Sequence, residues 1–484
     1  MKGIKNFSRV YIFTILSFYT TVFSLNIQHV PAEDVSKYCT KRTISGEEPY
    51  VVGVYMAARN DLFPFAGRNL RQMQNIGSNE NLKILVHFDT QRAGQKRITK
   101  RLLIEKDQIL QFGPDMSMDS GDPKTLMDFY SWQINNFPGK HIAILWNHGE
   151  GPLEPAIKQA INPSELFLFN PQSRMIEINR KIGFLDYLEN YQNQLEQEKP
   201  KSICFDNTTG NYLTTRDIKN VFETLCKDNL QGRKFEAILC DACLMGAVEF
   251  ASAIKGCANY FASSSEVVLG TGYDYSKLLF PLSQKGTKTV DFIKHVVKSF
   301  QATYGKLTHD YAQSAIDLSK FSLLEENTAK LSKLLISGLS NQKNNAVRDA
   351  IHLSVNRNFC TQFDEPSYKD YGHLMLNLSK NINKFQLADI QKTQEFRSQL
   401  QAILKDGMAI IKEIVVENAV GKGLKDATGL SIYFPSKQIH SSYHNCEFAQ
   451  QTGWLDFLKT YLTPTKKSTT KKQKTRSAAD FLIN

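Results

Sequence analysis

A buried, largely parallel β-sheet flanked by helices, an α/β fold, is what this sequence predicts, and three observations predict it. Short apolar runs with polar boundaries recur through the first two thirds of the chain: YVVGVYM (50–56), LKILVHF (82–88), HIAILW (141–146) and FEAILC (235–240). Each is continuous rather than alternating, as suits a strand covered on both faces. Helical patterns lie between the runs, and strands alternating with helices imply parallel crossovers that gather functional groups at strand C-termini. The composition, 42% apolar and 22% charged over 484 residues, supplies a packed core and excludes disordered, collagenous and multi-span membrane chains.

The elements follow in chain order. Lys2, Lys5 and Arg9 precede an uncharged stretch from Val10 to Ser24, which reads as a secretory signal peptide over 1–24, cut after Ser24. An uncleaved membrane anchor is the alternative, opposed by the threonines, serines and tyrosines in the stretch. The expected location is therefore secreted or periplasmic. Residues 25–48 form an N-terminal linker, and 49–330 the main α/β domain. Within it Asp122 as N-cap and Pro123 at the first helical position start a helix with Met127, Tyr130, Ile134 and Phe137 on one face, closed by Pro138 and Gly139. Residues 152–202 are polar, rich in Gln and Asn, and read as a surface insertion. Residues 331–462 form a helical C-terminal region whose TGLSIYFP segment (428–435) returns a strand to the sheet. Residues 463–484 are a basic, disordered tail.

The formal charge is +11, but nine of the cationic residues sit at the two ends, so the body is close to neutral. That argues against a nucleic-acid groove and confines membrane contact to the signal segment or the tail. Eight cysteines are too few for a disulfide-built scaffold. Asn207 and Asn377 lie in N-x-[ST] sequons. No feature of the sequence sets an oligomeric state.

Two strand ends carry chemistry. HIAILW runs into Asn147-His148-Gly149-Glu150-Gly151, and FEAILC into Asp241-Ala242-Cys243. A thiol is a good nucleophile but mostly protonated near neutral pH, so it needs a base, and a histidine on a neighbouring strand end supplies one. Helical spacing of Ala247, Phe250, Ala251 and Ile254 would bring a helix N-terminus close to Cys243 and favour its thiolate. The N–H groups of Gly149 and Cys243 are candidates for an oxyanion site. A competing reading takes Cys240 and Cys243 as a CxxC redox pair, although alternation points Cys240 away from the strand end. A zinc site lacks a second ligand pair, and GDPKT lacks the upstream glycine of a phosphate loop.

The blocks YMAARNDL (55–62), SGDPKTL (120–126), ILWNHGEG (144–151), CFDNTTGNYLTTRDI (204–218) and CDACLMGAVEFA (240–251) resemble the clostripain family of cysteine peptidases, in the caspase-like clan. The resemblance implies a caspase-like sheet, His148 and Cys243 as a dyad with no obligatory third residue, and protein or peptide substrates cleaved after Arg or Lys. It also implies that Asp241 helps line the pocket for the basic side chain, where a carboxylate discriminates by charge-assisted hydrogen bonding. Where family loops often read PGDGW, this chain has Leu269-Gly270-Thr271-Gly272-Tyr273, so Thr271 replaces an acid, with Asp274 as a compensating carboxylate and Glu266 as a pocket wall or loop anchor. Family members activate by cutting themselves between the His and Cys segments, and the insertion offers Lys158, Arg174, Arg180 and Lys181 as cut sites. The chemistry requires no cofactor. Calcium is admitted by the resemblance, although no D-x-D-x-D-G loop occurs. The alternative function is a catalytically inactive, peptide-binding homologue.

Overall fold

The computed structural model describes residues 27–31, 35–38, 48–90, 97–153, 167–180, 203–206 and 208–463. The first strands are β1 (Ile27–Val30), β2 (Tyr50–Ala57), β3 (Leu82–Thr90), β4 (Ile98–Glu105), β5 (Gln108–Met116), β6 (Lys140–Trp146), β7 (Phe167–Asn170) and β8 (Met175–Ile178). They are followed by β9 (Phe235–Asp241), β10 (Ala258–Ser264), β11 (Ala312–Asp317), β12 (Tyr368–Asp370), β13 (Val415–Val420) and β14 (Ser431–Tyr433). Ten of these form one sheet in the order β1-β5-β4-β3-β2-β6-β9-β10-β11-β13.

Its centre, β3-β2-β6-β9-β10, is parallel throughout, and the four apolar runs are β2, β3, β6 and β9. All eight residues of β2 are buried, which is why its sequence shows no alternation. Antiparallel strands finish both sides, β4 beside β3 and β11 beside β10. Two sets of helices flank the sheet. Phe63–Ile76, Tyr275–Leu279 and Thr289–Tyr304 contact one another in one set, and Pro123–Asn136, Thr215–Thr224 and Val248–Ile254 in the other.

The helix after Asp122 forms as expected, with the Asp122 side chain accepting from the Lys124 N–H and Pro123 in the first turn. Its buried face is carried by Leu126, Phe129, Tyr130, Gln133 and Ile134, so Phe129 takes the place foreseen for Met127.

Three boundaries need correction. The strand read in 428–435 forms only as β14, and it pairs with β12 in a separate two-stranded sheet rather than with the main one. The strand that does rejoin the main sheet is β13, which follows directly on the 25-residue helix Ile390–Ile414 and pairs with β11. A domain boundary at 330 would cut the helix Phe321–Asn341, so the C-terminal region continues the main domain. The signal segment 1–24, most of the linker 25–48 and the tail after 463 lie outside the described residues. Among the described residues no helix is long and apolar enough to cross a membrane. Asn377 is buried, its amide donating to the Phe359 carbonyl at 2.7 Å, so this sequon presents no accessible acceptor; Asn207 lies outside the described residues.

Candidate active site

Strands β6 and β9 are parallel neighbours in register, Trp146 opposite Asp241, so the chain leaves both at the same level. His148 and Cys243 follow two residues later on each side and line one cleft. The two turns interlock: a Cβ on Gly149 would stand 2.5 Å from the Cys243 carbonyl oxygen, so only glycine lets the His turn pack backbone to backbone against the Cys turn. Leu244, immediately after the nucleophile candidate, holds a left-handed conformation (φ 60°) and donates its N–H to the Glu266 carbonyl. Such strain in a bulky residue persists only where surroundings enforce it.

The helix foreseen next to Cys243 starts only at Val248, beyond the turn 242–247, and is seven residues long. Its dipole is therefore removed from the thiol. Cys243 is 6% exposed. Its Sγ accepts the Val268 N–H at 3.2 Å and donates to the Val268 carbonyl at 3.6 Å; among the described residues it makes no hydrogen bond to His148. Burial, with the carboxylates of Glu266, Asp364 and Asp241 adding to it, pushes the thiol up to about 12.

His148 is held from the other side. Its Nε2 lies 2.7 Å from Asp61 Oδ1, on the loop that leaves β2. Asp61 is a site residue that the strand-end argument missed, although it follows a buried parallel strand just as His148 and Cys243 do. Asn147 fixes the His turn, donating to the Ala57 carbonyl at 2.6 Å and accepting the Phe205 N–H at 3.2 Å.

The remaining candidates divide sharply. Asp241 lines the cleft, but its carboxylate also anchors the loop 271–275, accepting the Tyr273 N–H at 3.0 and 3.1 Å and the Tyr275 hydroxyl at 3.0 Å. Gly272, at φ +58°, is required there because a Cβ would meet that carboxylate at 2.6 Å. Glu266 is not a pocket wall. It is fully buried, with Oε1 accepting the N–H groups of Val267 (2.8 Å) and Asp364 (3.0 Å) and Oε2 paired with Arg180 at 3.0 Å. Asp274 does not compensate for Thr271, since it caps the helix Tyr275–Leu279 and pairs with Lys277 at 2.8 Å. The Thr271 carbonyl accepts from Asn69 at 3.3 Å, and the residue is absent from the cleft lining, which passes from Leu269 and Gly270 to Gly272.

Of the foreseen cut sites, Lys158 and Lys181 lie outside the described residues. Arg174 sits exposed in the turn of the β7–β8 hairpin. Arg180 is engaged with both Glu266 and Asp310 (3.1 Å), so it is a clasp in this state rather than an open cut site. The hairpin reaches the cleft, where Phe167 forms part of the lining. Cys240 is buried within β9 opposite Leu145 of β6, where burial pushes its thiol up, and it is not among the residues that line the cleft with Cys243, which argues against a CxxC redox pair. His87 lies within β3, where it stacks on Tyr55 and bonds Ser120 in the interior; burial lowers it to about 3.

Burial likewise pushes the Asp241 carboxyl up to about 7, against the lowering by its hydrogen bonds. The folded state thus holds this proton more tightly than the unfolded chain, so the contribution of Asp241 favours folding below about pH 4 and is lost as the pH rises to about 7. Asp241→Asn, which keeps an acceptor for the Tyr273 N–H, should flatten the dependence of Tm on pH across that window. An unchanged slope in thermal melts from pH 4 to 8 would contradict the assignment.

The sequence model of the clostripain family matches residues 54–160 and 185–461. Comparison with curated proteins gives no match. Among solved structures the chain is similar to an inactive zymogen C11 protease from Parabacteroides distasonis, at 16% identity and a TM-score of 0.53, over 85% of this chain and 99% of the other. It is similar also to a secreted C11 cysteine protease from Bacteroides thetaiotaomicron in complex with an irreversible peptide inhibitor, at 17% identity and a TM-score of 0.53, over 84% and 99%. At these identities the likeness is one of fold, and it supports the caspase-like sheet with its helical C-terminal region. Because the family match covers most of the chain on both sides of the insertion, the chain belongs to the clostripain family of cysteine peptidases.

Proposed function

We propose that the chain is an exported cysteine endopeptidase that attacks peptide bonds after Arg or Lys with Cys243, uses His148 as base, and stays latent until it is cut within residues 152–202. One observation carries this reading: adjacent parallel strands deliver His148 and Cys243 to a single cleft through turns that interlock at Gly149. Family membership supplies the reaction class. Export is supported by the charged and then apolar N-terminus, and by a structural neighbour described as secreted.

Latency is supported by the β7–β8 hairpin. It lies in the stretch that the family model leaves unmatched, between 160 and 185. Phe167 lines the cleft, Arg180 clasps the buried Glu266 beside the Cys turn, and Ile176 donates to the Leu307 carbonyl at 2.7 Å. A nick in the polar segments beside the hairpin leaves the sheet intact, because residues 203–206 return to the body independently. There Ile203 pairs with both Gly149 and Leu213, and Asp206 binds Arg97 at 2.6 Å. The expected product is a noncovalent two-piece enzyme.

Basic specificity is supported by Asp241, the carboxylate in the cleft wall. The test is hydrolysis of fluorogenic peptides ending in Arg, Lys, Asp or Asn by the chain lacking residues 1–24, with and without calcium, while intact mass is followed. The expected result is hydrolysis after Arg or Lys at least about 10²-fold above Asp or Asn, accompanied by a cut between 152 and 202. Hydrolysis after Asp or Asn at equal rates would remove the specificity reading, and full activity of the uncut chain would remove the latency reading.

A further inference from the structure

Four consecutive residues on the loop after β2 each do a different job. Arg59 turns inward to a buried ion pair with Asp89 and approaches Asp206 at 3.6 Å. Asn60 folds the loop, donating to the carbonyls of Ala57 (3.1 Å) and Phe205 (3.2 Å) and accepting the Leu62 N–H at 3.0 Å. Leu62 lines the cleft. Between them Asp61 meets His148 Nε2 at 2.7 Å, with both side chains only 18% exposed.

We propose that Asp61 is a third member of the catalytic unit, a positioning residue that fixes His148 as the Nε2–H tautomer and leaves Nδ1 as the nitrogen that exchanges protons in the cleft. The proposal rests on the peptidase reading of this same site. A carboxylate accepts hydrogen bonds and donates none, so the imidazole nitrogen facing it must carry the proton and the lone pair falls to the other nitrogen. Nδ1 then takes the proton from Cys243 Sγ as the sulfur attacks the carbonyl carbon, and delivers it to the departing amine as the C–N bond breaks. Water then attacks the thioester, passing a proton through Nδ1 to the released thiolate, so the enzyme returns unchanged. Asp61 stabilises the imidazolium that forms transiently in both halves.

The pair differs from an adventitious surface ion pair, which contributes little. Both partners are held in one frame, since Asn60 and Asn147 each donate to the Ala57 carbonyl and each bond the backbone of Phe205. The loop of the carboxylate and the loop of the imidazole therefore cannot shift independently. The family resemblance implies a dyad; the geometry of this chain adds the orienting group.

The test has two readouts. In the uncut Cys243→Ala chain labelled with 15N-histidine, nitrogen shifts of His148, assigned by their loss in His148→Gln, report which ring nitrogen is protonated. Nε2–H is expected, giving way to a mixture or to Nδ1–H in Asp61→Asn. In enzyme brought to the same processing state as wild type, Asp61→Ala and Asp61→Asn should each lower kcat by about 10²–10³-fold with KM within threefold. The asparagine should rescue nothing, because its amide can donate to Nε2 and impose the wrong tautomer. An unaltered tautomer in Asp61→Asn, or a kcat within threefold of wild type in either variant, overturns the proposal. Should the parent chain hydrolyse no peptide at all, the peptidase reading fails, and the nitrogen shifts still decide whether Asp61 sets the tautomer.

Discussion

Replacing Cys243 by alanine should lower kcat/KM for a peptide ending in Arg or Lys by at least ~10⁴-fold while the protein stays folded. The size of the loss follows from the role. No other thiol reaches the cleft among the described residues, Cys240 being buried in β9, so nothing can substitute as nucleophile. The fold should survive because, among the described residues, Sγ makes two hydrogen bonds, both to Val268, and their loss is worth on the order of 1 kcal/mol. Self-cleavage should disappear together with peptide hydrolysis, leaving a chain of undiminished mass. Intact mass, kinetics and a thermal melt on the same sample check all three expectations. Residual hydrolysis above about one part in 10² would point to a different nucleophile.

The second large effect concerns reactivity rather than turnover. In the uncut chain burial pushes the Cys243 thiol up to about 12, which holds the sulfur protonated near neutral pH. A cut beside the hairpin that brings Phe167 into the cleft frees it to move away, and the water this admits should return the thiol toward its ordinary range, about 8.5. Cutting within 152–202 should therefore raise the rate of alkylation of Cys243 by iodoacetamide by well over about tenfold, as measured by quantifying the modified peptide over time. Arg180→Ala, which opens the clasp to Glu266 and Asp310 without cutting the chain, should give an intermediate rise. A rise of less than tenfold on cutting would mean that the hairpin does not control the thiol.

Four of the five central strands were legible because they are buried on both faces, and a continuous apolar run of strand length records that burial directly; the fifth, β10 (ANYFASS), lacks such a run. Strands that are covered on one face or lie at an edge were not. β4, with Lys100 and Arg101 reaching acids at the surface, carries too much charge to read as sheet from composition. β13, VVENAV, is half-exposed along most of its length and is contiguous with a 25-residue helix, so its local pattern hides a change of structure that only pairing with β11 decides. GLSIYFP misled in the opposite direction. It has the look of a core strand because Leu430, Ile432, Tyr433 and Phe434 are all buried, but they pack under the helical region, with Tyr433 against Tyr443 and Phe434 against Trp454.

The site divides along the same line. His148 and Cys243 follow from the strand-end rule applied to two apolar runs, and Asp61 would have followed had the rule been applied to YVVGVYM as well. The roles of Glu266 and Asp274 depend on which long-range partner captures each carboxylate. Spacing along the chain cannot reveal that Arg180 pairs with Glu266, 86 residues away. Nor could it show Phe167 in the cleft, since the insertion that carries it has no periodicity tying it to the sheet.

The most direct test of the account is covalent: the processed chain is incubated with a peptide ending in Arg or Lys and bearing an electrophilic ketone in place of the scissile bond, and the adduct is located by peptide mass spectrometry. A single adduct on Cys243 is expected, formed in step with loss of hydrolysis, absent in Cys243→Ala and greatly slowed in the uncut chain. An adduct on any other residue, or complete loss of hydrolysis with Cys243 unmodified, would contradict it.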